Sequence, residues 1–493
     1  MGVMRFVVDD LQRISDQFLA TAYIASLEGV PWRCFAERTA DGFQIRRKID
    51  DSGSLFAMWR MPEGGEILLS TANLRAGERP YLLPVELARG TLNRLRNQTA
   101  AWRQAGRTIP QAVADQISVA NAPFAVAATS QHDVPAATEA SEATIRESLL
   151  GCEMLLETYL EQLSPGGTRQ EATGLLFGAN IAKPISEAGD AAEIVETFNL
   201  ASVNANWAAT EPVTGEFDFV AMEDTMDWAK AQGLKTMVGP ILSFSPSQLP
   251  DWLVLWEDDF PAMQSYVVAW VREVVERFRG EVSLWNCSAN MNSGLVLSLS
   301  DEQRLKLTVA ALETVRSIDP KTPAIISFDQ PWSEYMTHAS TDVAPLHYAD
   351  ALARADLGVA GLGIQIDWGY QPGGTLPRLP LELSQLLDQW SMLGLPLVVF
   401  MRVPSSLQPS HQAHSATPLA GTPAAQWNEE LHRALAEKLV KICWSKQSVQ
   451  GVVWNQTYDA DGYQFPHAGL YNGEGDAKSV LSAMRDIRTK YIG

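Results

Sequence analysis

"PAMQSYVVAWVREVVERFRGEVSLWNCSAN" occupies residues 261–290, and its two parts call for different structures. Pro261 suits a first helical turn, where its missing N–H is no loss, and Gly280 suits the left-handed turn that ends a helix. The amphipathic stretch between them reads as a helix. The next segment, "VSLWNCSA" (282–289), is a short unbroken apolar run. It does not alternate with polar residues, so both faces are expected to be buried, as in a parallel sheet covered by helices.

The same unit recurs on both sides. Apolar runs lie at "LLFGANI" (175–181), "FNLASVNANW" (198–207), "KTMVGPIL" (235–242), "PAIISFDQP" (323–331), "GVAGLGIQID" (358–367), "PLVVFMRV" (396–403) and "VQGVVWNQTY" (449–458). Helices separate them. One opens on a capping box, Ser300 with Gln303, and stops at Pro320. Eight strand–helix units in about 320 residues predict an α/β fold, a closed (β/α)8 TIM barrel over 174–493. The rival is an open doubly wound sheet, but no Gly-rich phosphate loop follows the first strand.

Residues 1–163 read as a separate N-terminal module, β-rich and then helical. "DGFQIRRKID", "GSLFAMWRM" and "GEILLSTANL" are short strand-like runs. Leu87, Leu92, Leu95 and Trp102 then recur near helical spacing, and Gly106 stops the helix. "AVAATSQHDVPAATEASEAT" (125–144) reads as a loop, a helix follows it, and "SPGGTRQEATG" (164–174) reads as a linker. The basic stretch "RGTLNRLRNQ" is expected to be a solvated helix face. By position the module is a candidate carbohydrate-binding domain, with a packing or dimerisation role equally open.

The chain has 493 residues, with 38 Lys and Arg against 58 Asp and Glu, a formal net charge of −20. That charge disfavours nucleic acid and anionic membranes as partners and is compatible with a neutral ligand. Cys34, Cys152, Cys287 and Cys443 are widely spaced, with no CxxC pair and no adjacent His, so no metal site is expected; no cofactor is expected either. His411 and His414 stand three apart in a Pro- and Ser-rich segment but lack a third ligand. No signal-peptide run opens the sequence, which predicts a cytoplasmic protein.

Chemistry in such a barrel sits at the C-terminal ends of the strands. Those ends carry Asn204, Asn206 and Trp207, then Phe244, then Trp285 and Asn290, then Asp329, then Gln365, Asp367 and Trp368, then Met401 and Arg402, then Trp454 and Asn455. Amides can both donate to and accept from sugar hydroxyls, and indole faces cover sugar CH surfaces. Asn204, Asn206, Trp207, Phe244, Trp285, Gln365, Trp368 and Trp454 form the expected sugar-binding set.

"NANWAATEPVTGEFDF" (204–219), "SQLPDWL" (247–253), "GLGIQ" (361–365) and "FPHAGLYNGEGDAKSVLSAMRDIR" resemble, in order, segments of glycoside hydrolase family 10, the endo-β-1,4-xylanase family. The resemblance covers about 174–490 and implies an oligosaccharide or polysaccharide ligand. It also implies a retaining mechanism with two glutamates about 5–5.5 Å apart. The acid/base position falls on Asn290 and the nucleophile position on Met401. No Asp or Glu occurs from Val282 to Ser300 or from Gln389 to Asn428, so no small shift of register restores either group. An amide and a thioether cannot replace them. The sequence therefore predicts a xylanase-like barrel that binds β-glycan with little or no retaining hydrolysis. Hydrolysis by relocated carboxylates, Asp329 and Asp367, is the enzymatic alternative. A scaffold whose mouth is filled by Phe244, Phe400 and Met401 is the non-enzymatic one.

Overall fold

The computed structural model describes residues 2–61, 65–162, 174–245, 247–294, 297–339, 341–408, 416–419, 426–459 and 464–492. The linker, except Gly174, and His411 and His414 lie outside the described residues.

The N-terminal region contains β1 (Gly2–Val7), α1 (Asp16–Thr21), β2 (Tyr23–Ala25), β3 (Cys34–Arg38), β4 (Gly42–Arg47), β5 (Ser54–Arg60), β6 (Glu66–Ser70) and β7 (Tyr81–Leu82). They form two small sheets, β3-β4-β1-β7 and β2-β5-β6. The alternating burial of β1 puts Met4 and Phe6 into a core with Phe18, Phe43 and Trp59.

Three helices follow: α2 (Leu83–Gln104), α3 (Gln111–Thr129) and α4 (Val134–Gln162). The loop expected over 125–144 is instead the end of α3 and the start of α4, with only 130–133 between them. Alanine is the best helix former, and this segment is rich in it. Its hydroxyls donate to carbonyls four residues back, Ser141 to Ala137 and Thr144 to Ala140, so they do not break the helix. Asp133 accepts from the Ala136 N–H at 3.2 Å and caps α4.

This region is welded to the rest of the chain. Leu95 and Trp102 of α2 and Leu155, Leu156 and Tyr159 of α4 share one buried core with the barrel. Arg94, within the basic stretch, pairs with Glu382 and donates to Ser70 at 2.7 Å. At that position the expected solvated face is a docking surface.

The barrel strands are β8 (Leu176–Asn180), β9 (Leu200–Val203), β10 (Lys235–Val238), β12 (Leu284–Ala289), β13 (Ala324–Phe328), β14 (Gly361–Asp367), β16 (Leu397–Arg402) and β18 (Val449–Trp454). All pair in parallel, and β10 pairs with both β9 and β12, which closes the ring. A two-residue strand, β11 (Leu242–Ser243), extends the edge of β12, and β15 (Tyr370–Gln371) pairs with β17 (Thr417–Pro418) above the barrel. The surrounding helices are α5 (Ala188–Thr197), α6 (Trp207–Thr210), α7 (Val220–Ala231), α8 (Phe260–Phe278), α9 (Asp301–Ile318), α10 (Pro345–Arg354), α11 (Pro380–Ser391), α12 (Glu429–Trp444) and α13 (Ser479–Tyr491). The capping box at Ser300 and Gln303 forms as expected.

Along each strand every second side chain enters the bore. Leu200, Met237, Leu284, Ile325, Val398, Phe400 and Val453 pack there as one cluster. The intervening residues, such as Val399, Met401, Val452 and Trp454, join the layer between strands and helices. This alternation decides which side chains can reach a ligand.

Candidate functional site: a polar cleft at the strand ends

Above the apolar bore the strands end in a cleft of about 440 Å³. On one side stand amides. The Asn180 Nδ2 donates to Asn204 Oδ1 at 2.7 Å, tying the ends of β8 and β9. Asn206 caps α6, accepting from the Ala209 N–H at 3.1 Å. The Ser243 hydroxyl donates to Asn290 Oδ1 at 3.1 Å. Asn290 itself is a non-glycine residue in the left-handed region, with φ 57°, a conformation asparagine tolerates better than most.

The opposite side carries charge. Arg402, at the end of β16, donates to Asp367 Oδ1 at 2.7 Å. The Asn455 side-chain oxygen accepts from both Arg402 terminal nitrogens, at 3.0 and 3.2 Å, once its amide is oriented to match. The guanidinium lies 4.9 Å from the centre of the Phe465 ring. Burial pushes the Asp367 carboxyl upward, and Arg402 pulls against it. Asp329, between these two sides, is 1% exposed.

Asn204, Asn206, Asn290, Asp329, Gln365 and Asp367 therefore meet in one cleft. The aromatic part of the expected set does not join them. Trp207, Trp285, Trp454 and Phe244 are at most 1% exposed, and Trp368 is 3% exposed. Three of the indoles spend their N–H inside the protein: Trp207 on Glu211 at 2.6 Å, Trp285 on Asp319 at 3.0 Å and Trp454 on the Ala468 carbonyl at 2.9 Å. Trp207 also lies flat against Trp270, with centroids 5.6 Å apart. Trp368 meets Trp332 edge-on. These rings hold strands to helices and loops, and among the described residues the aromatic ring that lines the cleft is Phe465. Asn180 and Phe465 were not singled out from sequence. Period-two counting along β8, from Leu176 through Gly178, would have pointed to Asn180.

The model of the family described as "Glycosyl hydrolase family 10" matches residues 168–486. The chain belongs to that family. An endo-1,4-beta-xylanase of Agaricus bisporus is 23% identical over 314 residues, 61% of this chain and 84% of the relative. Endo-1,4-beta-xylanase B of Humicola insolens is 30% identical over 80 residues, 16% of this chain and 22% of the relative. The crystal structure of xylanase 10B from Thermotoga petrophila RKU-1 in complex with xylobiose matches with a TM-score of 0.50. It shares 15% identity and covers 69% of this chain and 98% of its own. That likeness is one of fold.

Within a family 10 barrel, a nucleophile at the end of β16 has to face the cleft. Met401 does not: it is fully buried in the strand–helix layer. The inward positions of that strand are Val398 and Phe400, in the bore, and Arg402, in the cleft. Met401, the expected nucleophile position, thus lies outside the cleft, because adjacent strand residues face opposite ways. Asn290, by contrast, lines the cleft where the acid/base position was expected. Phe400 does fill bore space, since a methyl at Gly363 would sit 2.9 Å from its ring. Yet the mouth above it stays open, and Phe244 and Met401 lie outside it.

Proposed function

We propose that this family 10 protein binds a neutral β-linked oligosaccharide of xylan type in the cleft and does not hydrolyse it by the retaining double displacement. The observation that carries the reading is the identity of the inward-facing groups at two strand ends. After β12 stands Asn290, and on β16 stand Phe400 and Arg402. A retaining mechanism needs a carboxyl at each place, one to give and take a proton and one to form the glycosyl ester. Asp367 does not substitute for the second group, since it is buried and its charge is engaged by Arg402 at 2.7 Å. The remaining lining of amides and hydroxyls can both donate and accept, as a sugar hydroxyl requires.

Calorimetric titration with a series of xylo-oligosaccharides, run beside a reducing-end assay on the same samples, tests this. The expected result is saturable binding with release of reducing ends no faster than in buffer. Stereochemically retaining cleavage of xylan by the purified protein would overturn the reading.

A further inference from the structure

We propose that the carboxyl of Asp329 donates a hydrogen bond to the ligand in the cleft and thereby sets the pH range over which the ligand is held. The inference rests on the sugar-binding reading above.

Three observations carry it. Asp329 lines the cleft while being 1% exposed, so a ligand meets its carboxyl in a site largely shielded from solvent. Its two oxygens are unequal. Oδ2 accepts from Gln330 Nε2 at 3.1 Å, whereas Oδ1 has no hydrogen-bond partner among the described residues. A buried polar atom without a partner is costly, and a group that the cleft receives can relieve that cost. The third observation is how firmly the carboxyl is held. Its backbone N–H donates to Asn292 Oδ1 at 3.3 Å, and its carbonyl accepts from Asn292 Nδ2 at 3.0 Å. The loop after it holds two buried non-glycine residues in the left-handed region, Gln330 at φ 44° and Ser333 at φ 64°. Such conformations persist only where the surroundings over-determine them. Here Glu334, the next residue, accepts from the Leu376 N–H at 3.1 Å and pairs with Arg378.

Burial pushes the Asp329 carboxyl above the usual carboxylate range, with the neighbouring Gln330, Ser293 and Asn290 side chains pulling the other way. Since Oδ2 is already an acceptor for Gln330, the proton belongs on Oδ1, the oxygen free to donate. The groups facing it from neighbouring elements are few. Asn290, Asn292 and Ser293 from the segment after β12 are neutral. The Tyr335 phenol, raised by its own burial and by Asp329, stays protonated. The Arg304–Asp301 pair lies behind Tyr335, and Asp367 with Arg402 stands elsewhere in the same cleft.

A protonated Oδ1 donates, and an ionised one can only accept. Affinity for a ligand oxygen that accepts should therefore fall as pH rises through the raised Asp329 value. The test is calorimetric titration of xylopentaose between pH 4.5 and 8.5, on wild type and on Asp329→Asn. The amide keeps an N–H donor at every pH. Wild type is expected to lose about fivefold to tenfold in affinity across the range, the worth of one such bond, while Asp329→Asn stays flat. A flat wild-type profile, or an equal slope in the variant, overturns the inference and leaves the binding reading standing. Absence of binding at every pH in wild type overturns both. Should Asp329→Asn fail to fold, Asp367→Asn decides instead: the wild-type slope is expected to persist in it, and loss of the slope there assigns it to Asp367 and overturns the inference.

Discussion

Two arginines, 24 positions apart in sequence, one buried and one partly exposed, are used in opposite ways. Arg378 is 1% exposed at its side chain and is divided between Glu334 and Glu382, with Trp332 4.2 Å from its guanidinium carbon. Arg94 of the N-terminal helix pairs with the same Glu382. Two positive and two negative side chains thus close a balanced network where the N-terminal region meets the barrel. Arg402 is 18% exposed, has one carboxylate partner among the described residues, Asp367, and borders the cleft. The first network joins the two parts of the chain and borders only a smaller pocket of about 190 Å³ at their seam, beside Tyr23 and Trp332. The second is open on one side and sets the charge of the site. Burial opposes the charge on Arg378, but Glu334 and Glu382 outweigh it and hold the guanidinium protonated.

The largest effect should come from breaking the closed network. Arg378→Met leaves Glu334 buried without its cation and leaves Glu382 with Arg94 alone. Removing one partner of a buried pair costs about 3–5 kcal/mol. Urea unfolding should show a loss of that order, and Arg378→Met/Glu334→Gln should recover part of it. A loss under about 1 kcal/mol would mean that the network contributes little to joining the two parts.

Arg402→Met should cost less, about 1–3 kcal/mol. Its partner Asp367, like Glu334, is biased toward the neutral form by burial, but it borders the cleft, so the orphaned carboxyl can take up a proton there instead of remaining charged. The same unfolding assay, run at pH 5 and pH 8, should show the smaller loss at pH 5, where Asp367 protonates more readily. An equal loss at both values would mean that Asp367 does not relax in this way, and the contrast between the two arginines would narrow.

The fold was legible because its signals are local and repeated. Pro261, Gly280, Ser300 and the unbroken apolar runs each report on their own neighbourhood, and eight repetitions leave little room for another architecture. The loop reading at 125–144 fails because an Ala-, Ser- and Thr-rich composition does not by itself exclude a helix, and here the hydroxyls bond back within it. The site was legible only in part. Asn204, Asn206, Asn290, Asp329, Gln365 and Asp367 reach the cleft because they stand at strand ends, which the apolar runs locate in sequence. The tryptophans misled because composition does not say which face of a strand a residue occupies. Trp285 and Asn286 are adjacent, yet one indole donates to Asp319 outside the bore while the neighbouring amide accepts from Ser327 at 2.9 Å. The same one-residue ambiguity separates Met401 from Phe400 and Arg402.

That ambiguity yields the finest comparison, between an amide in the cleft and an indole behind it. Gln365 is half-buried on the cleft wall, and Trp285 is fully buried behind β12. Gln365→Ala removes a donor and an acceptor from a ligand without opening the core, so xylo-oligosaccharide affinity should fall about fivefold to tenfold with unfolding stability unchanged within about 0.5 kcal/mol. Trp285→Phe should do the reverse. It deletes the bond to Asp319, which keeps the Thr322 N–H at 3.3 Å, and costs about 1–2 kcal/mol of stability while leaving affinity unaltered. A Trp285 variant that folds well but binds weakly would return the indole to the ligand and restore the stacking role that its burial argues against.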